Sequence, residues 1–312
     1  MVESISATET YQEFEKRNAR FLNMIQDNVK STSFLNLIRI ETFEDRVLME
    51  EKLVKRLVIV LEDQIEKNRE ISIDIIQTMT EKLGLREESQ ILLPGIAARM
   101  NSIPYPETSE ETRVLLIDLL TVCLKSDKYQ FLPKLGEICS MLSKAALDPN
   151  PDMKVKAAQF AGLLSRQLIE KVGGYMKANI ISMVKNLQHQ HSKVRKATLL
   201  GLKDVIVSRG AEPFLDDAIV QLKFSMNDRS QDVRLTFYNE VLQHWLNSME
   251  INSLKQYDAT FVLFLLNGIT DEYAEIQNKS IQLLEEHGKN MREALIQLGE
   301  EDQKMSDVEQ SQ

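Results

Sequence analysis

Histidine and cysteine are the residue types here that could carry metal or nucleophilic chemistry. His189 and His191 flank a short turn, and two imidazoles at i and i+2 can begin a metal site. No Cys, Asp or Glu stands close by in sequence to complete one, so both are read as turn residues. His244 and His287 stand alone inside helical stretches. Cys123 and Cys139 sit in the apolar runs LLTVCLKS and GEICSML and form no C-x-x-C, which suits small buried hydrophobes. The glycines form neither a dinucleotide fingerprint nor a phosphate loop. No nucleophile has a base beside it. The expectation is a chain without catalytic residues, cofactor or metal.

Charge is the remaining chemistry, and it is unevenly placed. The 312 residues carry a formal charge of −9. Residues 1–149 sum to −6, residues 150–210 to +8 and residues 211–312 to −11. A net acidic chain disfavours general nucleic-acid binding. The basic stretch still offers Lys154, Lys156, Lys193, Arg195, Lys196 and Lys203, with Arg234 further on, as a ridge for an acidic protein surface. The other reading of the same residues is structural. Lys156, Arg195 and Arg234 each follow an aliphatic anchor, with Asp152 and Asp232 just ahead, and stacked repeats could pair them as a ladder.

The elements that would position them are helices. Gly is 11, Pro 7 and aromatic content 6%, too few turn formers for an all-β architecture. Four segments align without gaps: PDMKVKAAQFAGLL, HSKVRKATLLGLKD, SQDVRLTFYNEVLQ and YAEIQNKSIQLLEE. Their anchors, Val155, Val194, Val233 and Ile276, recur at the period of two-helix HEAT or armadillo units. Small residues follow the anchors at Ala158, Ala197, Thr236 and Ser280, where helices must approach closely. Thr112, Ile71 and Val29 continue the spacing backwards. First helices are expected near residues 129–147, 174–188, 212–226 and 254–269. Trp245, Tyr238, Phe261 and Phe264 are read mainly as filler between repeats. Leu92-Pro94-Gly95 and Pro104-Tyr105-Pro106 mark a longer join near residue 100. The fold class is all-α: one HEAT/armadillo-type solenoid of six or seven repeats over 1–299, best defined over 105–290. The acid-rich residues 300–312 read as a disordered tail. The chain opens without a basic-then-apolar leader, and its longest apolar run is far short of a membrane helix, so a cytoplasmic protein with reduced thiols is expected.

The stretch Leu187-Gln188-His189-Gln190-His191-Ser192-Lys193-Val194-Arg195 resembles a repeat turn of the HEAT-repeat dynein axonemal assembly factors. Leu147 to Lys156, Pro106 to Leu120 and Asp228 to Trp245 are similar to neighbouring repeats of that family. The resemblance implies a non-enzymatic cytoplasmic scaffold that helps axonemal dynein heavy chains and arm complexes pre-assemble for cilia. Its implied partners are dynein chains, general chaperones and other assembly factors, with no nucleic acid or membrane. The residues alone leave open another HEAT adaptor, serving nuclear transport, a phosphatase or the proteasome.

Overall fold

The computed structural model describes residues 53–84 and 89–310, with side chains through residue 296 except at position 83. Val29 lies outside the described residues. Helices α1 (Glu66–Leu83), α2 (Ser89–Met100), α3 (Glu110–Ser126), α4 (Leu135–Ala145), α5 (Pro151–Gln167), α6 (Lys177–Val184), α7 (Ser192–Ile206), α8 (Leu215–Met226), α9 (Gln231–Leu235), α10 (Gln243–Ser248), α11 (Ile251–Ile269) and α12 (Ala274–Gln310) follow one another. A π-helical segment, Thr236–Leu242, joins α9 to α10 into one continuous rod. Together with helical residues 53–60, these form six antiparallel pairs among the described residues. The second helices α1, α3, α5, α7, the α9–α10 rod and α12 stack on one another as one layer. The first helices α2, α4, α6, α8 and α11 stack as the other. This is an α-solenoid, with the core between the layers.

Local chemistry sets where the second helices begin. Ser109 Oγ accepts the Thr112 N–H at 3.1 Å, and Glu110 and Glu111 fill the first turn of α3. Asn150 Oδ1 accepts the Asp152 and Met153 N–H groups at 2.7 and 3.3 Å, with Pro151 at the first helical position of α5. These caps also correct the repeat register. Val194 and Val233 lie three residues after their N-caps His191 and Ser230 and are fully buried. The residue at that place in α5 is Met153, also fully buried, whereas Val155 is only half-buried. Val155 precedes a lysine as Val194 precedes an arginine, and that likeness shifts the sequence alignment by two residues.

The predicted first helices agree with α4, α6, α8 and α11, three of which open with a short 3-10 turn. The join near residue 100 is shorter than expected. Pro94 and Gly95 lie inside α2, and the join is residues 101–109. Gly95 is needed for packing, since a Cβ there would come within 2.5 Å of Val58 Cγ1. The tightest helix contact is α5 on α7. A Cβ on Gly201 would stand 2.6 Å from the Ala158 carbonyl oxygen, so the small residues seen in sequence do permit backbone approach. Trp245, Tyr238, Phe237 and Phe261 are fully buried between repeats. The Trp245 indole N–H donates to the Lys203 carbonyl at 3.0 Å. Cys123 and Cys139 are buried, and burial pushes both thiols up to about 12. Helix α12 continues through Gln310, where a disordered tail was expected from Glu300. Glu, Gln, Lys and Met dominate that stretch, and all are good helix formers.

Candidate partner-binding faces

The residue four after each second-helix N-cap forms a ladder through the molecule. In order these are Arg69, Arg113, Lys154, Arg195, Arg234 and Gln277. Arg113 donates to both carboxylate oxygens of Asp148 at 2.7 and 3.1 Å, and its third nitrogen reaches the carbonyls of Glu107 and Thr108 at 3.1 Å. Arg195 grips Asp228 at 2.6 and 2.7 Å and the carbonyls of His189 and Gln190 at 2.7 and 3.1 Å. Arg234 pairs with Asp271 and Glu272, each at 2.8 Å, and Arg69 with Glu107 at 2.7 Å. Each arginine thus clamps its own turn and reaches the turn acid of the next repeat. That acid also accepts a turn N–H: Glu107 from Ser109, Asp148 from Asn150, Asp228 from Ser230 and Asp271 from Tyr273, at 2.8 to 3.0 Å.

Arg195 and Arg234 are therefore not part of an exposed ridge. Both are buried, and bidentate arginine–carboxylate pairing orders the stack. The acids of this ladder are not Asp152 and Asp232, as the sequence suggested, but the turn acids that precede each cap. In sequence they stand in the turns Asp148-Pro149-Asn150-Pro151, Asn227-Asp228 and Thr270-Asp271.

One rung differs. In α5 the ladder position is Lys154, and the acid position facing it is His189. The His189 Nδ1 accepts the His191 N–H at 3.1 Å, so that nitrogen carries no proton. Burial, then the charge of Lys154, pushes the imidazole below its ordinary value of 6.5. Lys154 Nζ donates instead to Asn186 Oδ1 at 3.0 Å, and burial lowers its own pKa. Both histidines of the turn are turn residues, as expected.

The other predicted cations lie on the outer side of the second helices. Lys156 pairs with Asp118 at 2.6 Å, Lys193 with Asp152 at 2.6 Å and Lys203 with Glu240 at 3.2 Å. Lys196 is exposed and has no ion pair among the described residues. Three of the eight excess positive charges of residues 150–210 are thus offset in space. The partners Asp118, Asp228 and Glu240 come from neighbouring repeats, outside that stretch.

Two grooves open on this same second-helix face. One, about 470 Å³, lies between α3 and α5, with Val114, Leu115 and Val155 as an apolar floor and Glu111, Asp152 and Lys156 around it. The other, also about 470 Å³, lies between the π-helical segment and α12 and is lined by Asn239, Gln243, Glu275, Asn278, Lys279 and Gln282. The first-helix layer exposes Ile181, Val220, Phe224, Leu263 and Leu266. Among the described residues, no group of three or more His, Cys, Asp or Glu could hold a metal ion, and no helix is long and apolar enough to cross a membrane.

Solved structures with this architecture are repeat solenoids. An engineered protein superposes with a TM-score of 0.56 at 15% identity, covering 76% of this chain and 96% of its own. A designed armadillo repeat protein, solved in complex with the peptide (KR)4, gives 0.54 at 15% identity, covering 75% and 98%. In sequence, dynein axonemal assembly factor 5 of Xenopus laevis is 27% identical over 238 residues, and that of Homo sapiens 24% over 246. Each match covers 76% of this chain, which spans 28% of the length of these relatives. A family model described as dynein axonemal assembly factor 5-like, TPR repeats, matches residues 11–301. The ladder spacing here, 39 to 44 residues, is longer than the about 34 of a TPR unit. With the family model spanning nearly the whole chain, this solenoid belongs to the dynein axonemal assembly factor 5-like family.

Proposed function

We propose that the chain is a non-catalytic cytoplasmic scaffold for the pre-assembly of axonemal dynein arms. It engages dynein chains, general chaperones and other assembly factors, without nucleic acid or membrane. The family match over residues 11–301 carries this reading. The solenoid supports it physically. Stacked repeats offer a long surface whose contacts are individually modest, which suits holding a client and then releasing it. The designed armadillo solenoid that holds the peptide (KR)4 supports protein partners in general. Charge pairing across the second-helix face favours grooves over a uniformly basic ridge as the place of contact. Of the seven predicted cations, Lys156 borders a groove, and Lys193, Lys196 and Lys203 remain as second-helix contacts outside the grooves.

Deleting the gene in a flagellate or ciliate tests the function. Axonemes that lack dynein arms, with dynein heavy chains degraded or aggregated in the cell body, are the expected outcome. Normal arms and normal motility after deletion would remove the proposal. Recovery of phosphatase catalytic subunits or proteasome parts on affinity purification, without dyneins, would replace it with another adaptor role.

A further inference from the structure

Two turns of the stack open grooves beside their arginine rungs, and the pair can be compared position by position. One groove, about 450 Å³, lies between the α6–α7 turn and the end of α8, with the buried pair Arg195–Asp228 in its wall. The other, about 210 Å³, lies between the α8–α9 turn and the end of α11, with Arg234–Asp271 in its wall. Four residues before the turn acid, the first groove has Phe224 and the second Asn267. One residue after it, the first has Arg229 and the second Glu272. Glu272 closes onto Arg234 at 2.8 Å, so its charge is neutralised within the stack. Arg229 instead donates to the Gln190 carbonyl at 2.9 Å and has no ion pair among the described residues. Both grooves are built on the same kind of rung, so the stack itself does not require an aromatic ring and an unpaired cation in the first.

Two lysines join Arg229. Lys223 Nζ stands 5.4 Å from the centroid of the Phe224 ring. Lys185 begins the 3-10 turn Lys185–Gln188, in which residues three apart eclipse, so it shares the face of Gln188. Gln188 lines the groove and donates to Gln221 at 2.7 Å. Both lysines are exposed, and neither has an ion pair among the described residues. Phe224 is left 42% exposed, and Val220, one turn earlier on the same face of α8, is exposed too. The groove thus offers an apolar floor with three cations about it. The acid in its lining, Asp228, is buried and held by Arg195.

This chemistry selects the occupant. Lysines alone would suit any anion, but a bare aromatic ring among them adds apolar area for a side chain to cover. We propose that the groove docks an acidic segment of a partner protein. An aromatic or aliphatic side chain of the segment packs on Phe224, and carboxylates on either side of it reach Lys185, Lys223 and Arg229. The charges steer the segment in, and the apolar contact holds it. This inference rests on the scaffold reading above and names the kind of segment such a scaffold takes.

Displayed random peptides selected on the full chain provide the probes, with affinities read by fluorescence anisotropy. Enriched peptides are expected to carry an aromatic or aliphatic residue flanked by Asp and Glu, and to bind more weakly as salt rises. Phe224→Asn/Arg229→Glu copies the residues of the neighbouring groove, and Lys185→Glu/Lys223→Glu alters only exposed lysines, so circular dichroism should find both variants folded. The peptides are expected to bind each variant about tenfold more weakly. Selected peptides without an acidic excess, undiminished affinity for either variant, or a library that yields no binder overturns the site. So does binding of phosphatidylserine vesicles or of a single-stranded oligonucleotide that is lost in the same variants, which would give the groove to a membrane or a nucleic acid. Self-association of the chain that is lost in them would give it to a second copy and overturns the proposal as well. The dynein-arm phenotype is separate. Intact arms after gene loss would end the assembly role and leave the groove standing, while peptide results against the groove would leave the assembly role standing.

Discussion

Two kinds of rung hold the second helices together, and they teach different things. Four rungs, at Arg69, Arg113, Arg195 and Arg234, pair a buried guanidinium with a carboxylate in the next turn. The odd rung, between α5 and α7, sets Lys154 near a neutral His189 and has no ion-paired carboxylate. Yet α5 and α7 are also the most closely packed pair, through Gly162 and Gly201. Backbone proximity and side-chain ionic pairing are thus alternative ways to fix one repeat on the next. Where glycines let the helices touch, the ladder is allowed to weaken.

The largest effect should come from breaking an arginine rung. Arg195→Ala leaves Asp228 buried without its cation and strands the His189 and Gln190 carbonyls. Removing one partner of a buried pair costs about 3–5 kcal/mol. Urea melts followed by circular dichroism should show that loss. Lys154→Ala should cost only about 1 kcal/mol, because it surrenders hydrogen bonds to Asn186 and the Ala146 carbonyl but no ion pair. Equal losses would mean that the two kinds of rung are energetically the same. Converting the odd rung, with Lys154→Arg and His189→Asp together, should raise the melting temperature by a few degrees, on the order of 1 kcal/mol. A lower melting temperature would show that the glycine contact leaves no room for a guanidinium pair.

The odd rung should also respond to pH where the others do not. The His189 pKa is depressed in the folded chain, by burial first and by Lys154 next. The unfolded chain then binds more protons below about pH 6.5, so this contribution is complete above that value and is lost as pH falls through the folded pKa. His244 is depressed in the same direction, also chiefly by burial. His189→Asn keeps an acceptor for the His191 N–H and removes the titrating group. Its stability should therefore fall less than wild type between pH 7 and pH 5. Parallel curves for the two proteins would show that His189 does not carry the response.

Much of this was legible in the sequence. The period, the first helices and the aromatic filler follow from residues whose apolar spacing is local. The register of α5 was misread because Val155-Lys156 looks like Val194-Arg195, while Met153, the true counterpart, has no distinctive type. Pro94-Gly95 read as a join because their helical neighbours and Val58 are not adjacent in sequence. The ladder was half legible. The arginines stood out, but their carboxylates sit some 33 to 38 residues away and become partners only once repeats stack.

The smallest expected effect bears on the cations that stayed outside the ladder. Lys193 and Asp152 form a short pair, but both are well exposed, and such pairs add little because water screens them and two long side chains must be held still. Lys196 has no acid to lose. Lys193→Glu/Lys196→Glu should therefore leave helicity and melting temperature unchanged within error. The same double variant places two acids beside Asp152 on the second-helix face. If partner capture depends on that face, pull-down of dynein chains should drop while the fold is intact, and the drop should be larger at low salt than at high salt. Unchanged capture would confine binding to the grooves. A collapse in stability would mean that the exposed pairs behave like the buried rungs, and the distinction between the two would fail at its weakest member.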